Sequence, residues 1–296
     1  MNESATDAAC GSTAYASEVN IQRLNGELTE QTDQIAIEEP LEIVLQFSQD
    51  GETQTLSLSI TMRTPGDDET LVLGFLYSEG IINSANDVQS ISLSGPKTEP
   101  FGLQNKIIVE LISGKSLDVK RFQRHFLTHS SCGVCGRTAV ETLQLVRSPS
   151  IPSDTPLISS ELVRSLPARL KADQVQFGCT GGVHAVGLFD ENGKALIVRE
   201  DIGRHNAMDK VIGQMLRSGM IDDSNKRNWV VCVSSRASFE LVQKALMANL
   251  PFFCAVGAPS SLAVSLAEEY GMTLVGFLKG SGYNTYSGQC RIEHRG

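Results

Sequence analysis

No stretch of the 296-residue chain stays apolar for the roughly 20 residues that a membrane-crossing helix needs. The opening, MNESATDAACGSTAYASEVN, has neither a basic start nor an apolar core, so it does not read as a secretory leader. The expectation is a soluble, cytoplasmic protein with no membrane partner. Aromatic residues make up only 6%, with a single tryptophan, and positive charge is in deficit, the formal net charge being −9. This argues against a nucleic-acid binder, which would carry a basic face. Cysteines number seven, an odd count without a secretion signal, so free thiols are expected rather than a disulfide framework. Strings of the form GxxxxGK[ST] or GxGxxG do not occur, which removes the standard nucleotide-binding loops.

The acidity is unevenly spread. The first forty residues hold eight of the 34 acidic side chains and one of the 25 basic ones, so the body is nearly neutral. Residues 1–36 are polar and poor in aromatics. They read as a mobile acidic tail with at most a short helix.

Residues 37–125 read as a small α+β subdomain. LEIVLQF and TQTLSLSIT flank Asp50-Gly51 as a β-hairpin, DDETLVLGFLYSEG follows as a helix stopped by Gly80, and KIIVEL is a further strand. Residues 126–160 carry the motif SSCGVCGR, a helix over TAVETLQLV and a proline- and serine-rich linker, RSPSIPSDTPLISS. A helix over ELVRSLPARL should end at Pro167. Beyond it, a hairpin turning at Asn192-Gly193 and a helix with Met208, Val211, Ile212, Met215 and Leu216 on one face precede an alternation of apolar strands and amphipathic helices. That alternation implies a three-layer α/β/α domain over 161–296 with parallel strands covered on both sides. In such a sheet ligands gather at the carboxyl ends of the strands, here SSR, GAPSS and FLKGSG.

Three stretches carry candidate chemistry. Cys132 and Cys135 in SSCGVCGR have a spacing used for zinc, for a reversible disulfide and for carrying sulfur as a persulfide. Zinc lacks a second C-x-x-C, although His125 and His129 could complete a Cys2His2 set. A zinc-deaminase signature fails outright, since Ser131 precedes Cys132 and none of the five histidines is followed by x-Glu. For a sulfur carrier, a helix start just after the pair would favour the thiolate. The second stretch, TGGVHAVGLFD with REDIGRHNAMDK, crowds His184, Asp201, Arg204, His205, Asn206 and Asp209 around a strand end and a helix start, too densely for caps alone. The third, SSRASFE and FLKGSGYNTY, offers small-residue turns beside Arg236 and Lys279 that could cradle phosphate.

Read together, EEPLEIVL, the TP of MRTPGDDETLVLGFLYSEGII, SSCGVCGR, TGGVHAVGLFDENG, REDIGRHNAMDKVIG, SSRASFELVQKA, APSSLAVSLA and MTLVGFLKGSGYNTY closely resemble the formate dehydrogenase accessory protein family, FdhD, from about Glu38 to Tyr286. The resemblance implies a sulfurtransferase: a homodimer with a cytidine-deaminase-like core that takes sulfur from a cysteine desulfurase. It would pass that sulfur to the molybdenum (or tungsten) bis-pterin guanine dinucleotide cofactor of formate dehydrogenase. It also implies that Cys132 holds the persulfide with Cys135 assisting. The cofactor and its guanine nucleotide moiety then fall on Phe277, Leu278, Lys279, Gly280, Ser281 and Gly282, with His184, Arg204, His205 and Arg236 nearby; no metal ligands are assigned. A rival expectation is a non-enzymatic cofactor carrier. Two departures stand out: GSG at 280–282, where many relatives have an arginine, and Arg63 before Thr64-Pro65, a change with little apparent weight.

Overall fold

The computed structural model describes residues 15–114, 151, 157–221 and 228–293. Its first elements correct the sequence reading. Residues 16–36 form not a tail but an antiparallel hairpin, β1 (Ala16–Asn25) and β2 (Glu27–Ala36), closed at Gly26 with φ +82°. Polar cross-strand contacts such as Gln34 to Glu18 stand where apolar burial would be, which is why composition pointed to disorder.

The next four strands follow the expected period of two. β3 (Glu39–Gln49) and β4 (Glu52–Arg63) pair as a hairpin with Asp50 and Gly51 both at positive φ. With β5 (Val88–Thr98) and β6 (Leu103–Leu111) they make a sheet ordered β4-β3-β6-β5, β3 and β6 running parallel. Leu41, Ile43, Leu45 and Phe47 of β3 and Ile107, Val109 and Leu111 of β6 turn one face into the core. Between β4 and β5 comes α1 (Asp68–Ser78), whose Leu71, Val72, Leu73, Leu76 and Tyr77 are all buried. A helix apolar on every side has to be covered on every side. Arg63, far from minor, is fully buried and holds the first turn of α1 through two bonds to Asp68, at 3.0 and 3.2 Å.

The second half begins with β7 (Ile158–Ser159), α2 (Ser160–Ala172) and α3 (Val175–Thr180). The hairpin β8 (His184–Phe189) and β9 (Ala195–Asp201) leads to α4 (Arg204–Arg217). Then β10 (Val230–Val233), α5 (Phe239–Met247), β11 (Phe252–Ala255), α6 (Ser261–Glu269) and β12 (Thr273–Lys279) alternate as expected, followed by β13 (Gly282–Ser287) and β14 (Ile292–Glu293). The sheet is ordered β13-β12-β11-β10-β8-β9 and is mixed. β10, β11 and β12 are parallel, while the tight connections after β8 and β12 can join only antiparallel strands.

One face of this sheet, with Leu188, Val231, Val233 and Phe253, shares a core with α4, α5 and α6; the other, with Phe189, Val230 and Val275, packs on Leu162, Val163, Leu166 and Leu170 of α2. Helix α2 runs on through Pro167, contrary to expectation, because burial of Leu170 beyond the proline offsets the lost hydrogen bond. The described parts of the supposed linker are anchored too. Ile151 and Ile158 are buried, the Ile151 N–H donates to the Tyr270 carbonyl at 3.0 Å, and β7 pairs with β14.

The core of the first sheet and the α4 side of the second are one continuous cluster. At its centre α1 and α4 cross glycine on glycine: a Cβ on Gly74 would strike the Asp209 carbonyl, and one on Gly213 the Thr70 carbonyl. Only glycine permits backbones to approach so closely.

Candidate functional site

The sheet topology decides which residues meet. Because β10, β11 and β12 are parallel, their carboxyl ends share one edge; because β8 runs antiparallel to β10, with Val186 opposite Val233, the start of β8 and the end of β9 reach that same edge. The turns there are stitched in series. Ala185 N–H donates to Ser234 Oγ at 2.9 Å, Gly257 N–H to the Ser235 carbonyl at 3.0 Å, and Phe277 N–H to the Gly257 carbonyl at 3.0 Å. His184, Arg204, His205, Arg236 and the 277–282 turn therefore gather along one rim, although 90 residues and more separate the first from the last in sequence.

Their settings differ. Arg236, Lys279, Gly280 and Ser281 are exposed, Gly282 is half-buried, and Leu278 lies wholly within the apolar layer, so it can offer a ligand only its backbone. Phe277 is held at φ +51°, a region that bulky residues avoid, with 47% of its surface exposed. Strain of this kind persists where the surroundings over-determine it and clusters at binding sites. Burial, and then the Arg204 guanidinium, push the His184 imidazole below its ordinary range. His205 is driven down to about 4 by burial and then by Arg204 and Lys244. Both rings are thus neutral at pH 7, and the positive charge of the rim rests on Arg204, Arg236 and Lys279.

The rest of the REDIGRHNAMDK constellation serves the fold. Asp201 is fully buried and accepts from Lys210 Nζ at 2.7 Å, Thr64 N–H at 3.2 Å, Gly203 N–H at 2.8 Å and Asn206 Nδ2 at 3.1 Å. Thr64 Oγ1 accepts in return from the Ile202 N–H at 3.0 Å, and Asn206 Nδ2 also donates to the Met62 carbonyl at 2.7 Å. These bonds fasten the Thr64-Pro65 end of β4 to the start of α4. The motif TP and the motif REDIGRHN are two halves of one joint.

Beside the joint opens a cleft of about 280 Å³ between β4, α1, α4 and α5. His205 stands in its wall, its Nε2 3.4 Å from Ser238 Oγ and 3.9 Å from Glu240. Deeper in, Lys244 meets Asp209 at 2.8 and 3.0 Å, and Ser78 Oγ donates to the same carboxylate at 3.2 Å. Burial raises Asp209 to about 6 against the pull of Lys244, while the carboxylates of Asp209 and Glu79 outweigh burial at Lys244 and keep it protonated. Lys244, Glu79 and Glu240 were not singled out in the sequence. The signal was a lysine in the apolar run of FELVQKALM, where a charge must find a partner or stay neutral.

Cys132 and Cys135, like His125 and His129, lie outside the described residues. Of the described cysteines, Cys232 and Cys254 are buried and free, Cys290 is exposed and free, and Cys179 is disulfide-bonded, so the expectation of free thiols holds at three of these four. No described helix is long and apolar enough to cross a membrane.

A model of the FdhD/NarQ family matches residues 36–293. The β1–β2 hairpin, all but its last residue, precedes the match. A protein of Nocardia farcinica named sulfur carrier protein FdhD is 47% identical over 269 residues, covering 90% of this chain and 91% of its own. Another so named, from Sulfurisphaera tokodaii, is 42% identical over 260 residues, covering 88% and 92%. Among solved structures, a proposed formate dehydrogenase accessory protein from Desulfotalea psychrophila superposes with a TM-score of 0.67 over 94% of this chain and 100% of its own. At 23% identity that likeness speaks for the fold alone.

Proposed function

The chain belongs to the FdhD/NarQ family, and on that premise we propose that it is a sulfurtransferase serving formate dehydrogenase. It accepts sulfur from a cysteine desulfurase as a persulfide on Cys132 and passes it to the molybdenum bis-pterin guanine dinucleotide cofactor, its acceptor substrate. The observation that carries this reading is the family match, which spans SSCGVCGR and the rim together, in relatives named as sulfur carriers. A homodimer and a cytidine-deaminase-like core belong to the same proposal.

The chemistry balances with the two cysteines, the donor's persulfide and an external reductant of the thiol class. The Cys132 thiolate attacks the outer sulfur of the donor's persulfide; the donor S–S bond breaks as the new one forms, and the donor cysteine leaves as thiolate. The Cys135 thiolate then attacks the inner sulfur, closing a Cys132–Cys135 disulfide and releasing the outer sulfur as sulfide with the bonding electron pair. A reductant of the thiol class resets the pair. An unperturbed thiol is only about 3% ionised at pH 7, so this sequence needs the lowered pKa common in C-x-x-C motifs.

The rim suits the acceptor. Arg204, Arg236 and Lys279 supply charge for a polyanion, neutral His184 and His205 supply hydrogen bonds, the Phe277 ring supplies a stacking face, and the 280–282 turn supplies backbone N–H groups. The glycine and serine at 280 and 281 leave Lys279 as the only cation of that turn.

Intact-mass analysis after incubation with cysteine and an active desulfurase tests the proposal. We expect a gain of one sulfur atom, reversed by a thiol reductant, lost in Cys132→Ala and kept or prolonged in Cys135→Ala. No gain in any sample would transfer the assignment to a non-enzymatic cofactor carrier.

A further inference from the structure

The rim accounts for a polyanion, but the neighbouring cleft has the opposite character. Its lining carries three carboxylates, Glu79, Asp209 and Glu240, against the single ammonium of Lys244. Lys244 pairs tightly with Asp209, at 2.8 Å, and only at 4.0 Å with Glu79, so Glu79, just past the end of α1, and Glu240 on α5, 28% and 55% exposed, keep an excess of negative charge at the opening. Ile43, Leu71 and Phe75 line the cleft between them. A phosphate-rich ligand is disfavoured here.

One wall of the cleft is backbone. β4 ends its sheet, with no described strand on its outer side. Met62 sits opposite Pro40, which has no N–H, and gives its carbonyl to Asn206 instead, so the polar groups of Met62 point away from β3. In an antiparallel pair that outward direction recurs every second residue. Ile60, opposite Glu42, therefore turns its N–H and C=O outward as well, beside the cleft, with its side chain 68% exposed. An edge of this kind, next to an apolar pocket, is the arrangement by which proteins take up an extended peptide as an added strand.

We propose that this cleft docks an extended segment of a partner protein that pairs with β4 at Ile60 and places an arginine or lysine side chain between Glu79 and Glu240. Backbone pairing gives the segment its direction; the apolar residues hold the stem of the basic side chain, and the carboxylates its head. The inference is independent of the sulfur chemistry, since it rests on an edge strand and a pair of carboxylates that the transfer does not use.

The test uses the full-length protein and two fluorescently labelled peptides, acetyl-Thr-Val-Arg-Val-Thr-amide and the same peptide with glutamate replacing arginine. Fluorescence polarisation should show saturable binding of the arginine peptide below about 1 mM, at least about tenfold weaker binding of the glutamate peptide, and weakening of the first by salt. Glu79→Gln combined with Glu240→Gln should weaken the arginine peptide by a similar factor; Glu240→Gln alone, at an exposed position, covers the case in which the double variant melts early. Hydrogen exchange of the Ile60 amide should slow when the arginine peptide is added. Equal binding of both peptides, binding that leaves the Ile60 amide unchanged, or no binding of either peptide would each overturn the proposal.

Discussion

Replacing Lys210 by methionine keeps length and volume but removes the ammonium that meets Asp201 at 2.7 Å, where the two side chains are 2% and 0% exposed. Removal of one partner from a buried pair costs about 3–5 kcal/mol, because the other charge is left without compensation. Asp201 would keep three donors, from Thr64, Gly203 and Asn206, so the lower end, about 3 kcal/mol, is expected. For a chain of this size that corresponds to a fall in melting temperature of roughly 6 °C, at about 2 °C per kcal/mol. Trp229, the single tryptophan, is 7% exposed in the continuous core and reports on unfolding directly. Fluorescence and far-UV circular dichroism should lose signal in one coincident transition, since the core does not divide between the two halves. In the double variant Asp201→Asn/Lys210→Met no unpaired charge remains, and the combined loss should be smaller than the sum of the single losses by at least about 2 kcal/mol. Single losses below about 1 kcal/mol, or additivity within about 0.5 kcal/mol, would refute the reading of this pair as a coupled buried charge pair that anchors the joint.

Gly74→Ala places a methyl against the Asp209 carbonyl and should destabilise by about 3 kcal/mol or more, whereas Gly178→Ala, with open space around it on α3, should be neutral or stabilise by up to about 1 kcal/mol; urea titration of both variants checks the contrast. His205 titrates near 4 in the folded protein and near 6.5 unperturbed, so between those values the unfolded chain binds more protons, and stability falls as pH drops through that window while remaining whole above it. The ring is 37% exposed, which holds the effect to about 1 kcal/mol. Comparing urea midpoints of the parent and His205→Gln at pH 7 and pH 5 should show the smaller loss in the variant.

Elements that depend on local rules could be read directly. Asp50-Gly51 and Asn192-Gly193 marked two hairpins, and the period of Met208, Val211, Ile212, Met215 and Leu216 marked α4, each of which the structure contains. The β1–β2 hairpin carries the same mark at Asn25-Gly26, which the reading of residues 1–36 from composition passed over because its strands are joined by polar pairs. Pro167 argued for a helix end and lost to the burial of residues beyond it. At the rim, small residues after three apolar strands were enough to bring 234–236, 257 and 277–282 together, because parallel strands end on one side. Sorting that constellation was not possible from spacing. His184 and Asp201 are register partners, yet one lies half-buried at the rim and the other lies fully buried with Thr64, a residue 137 positions away. The acid-lined cleft was invisible for the same reason, being assembled from four elements whose charges are innocuous one by one.

The contact of Gly74 with Gly213 has a mechanical meaning. Side chains at a helix crossing can change rotamer and let two bodies slip, but here main chain rests on main chain with nothing compressible between, and the buried salt bridge of Asp201 with Lys210 ties α4 to the end of β9. Sliding of the two halves at this crossing is therefore sterically blocked. In the transfer proposed above, travel of the sulfur atom would have to come from elsewhere than a slip of one half against the other at this crossing.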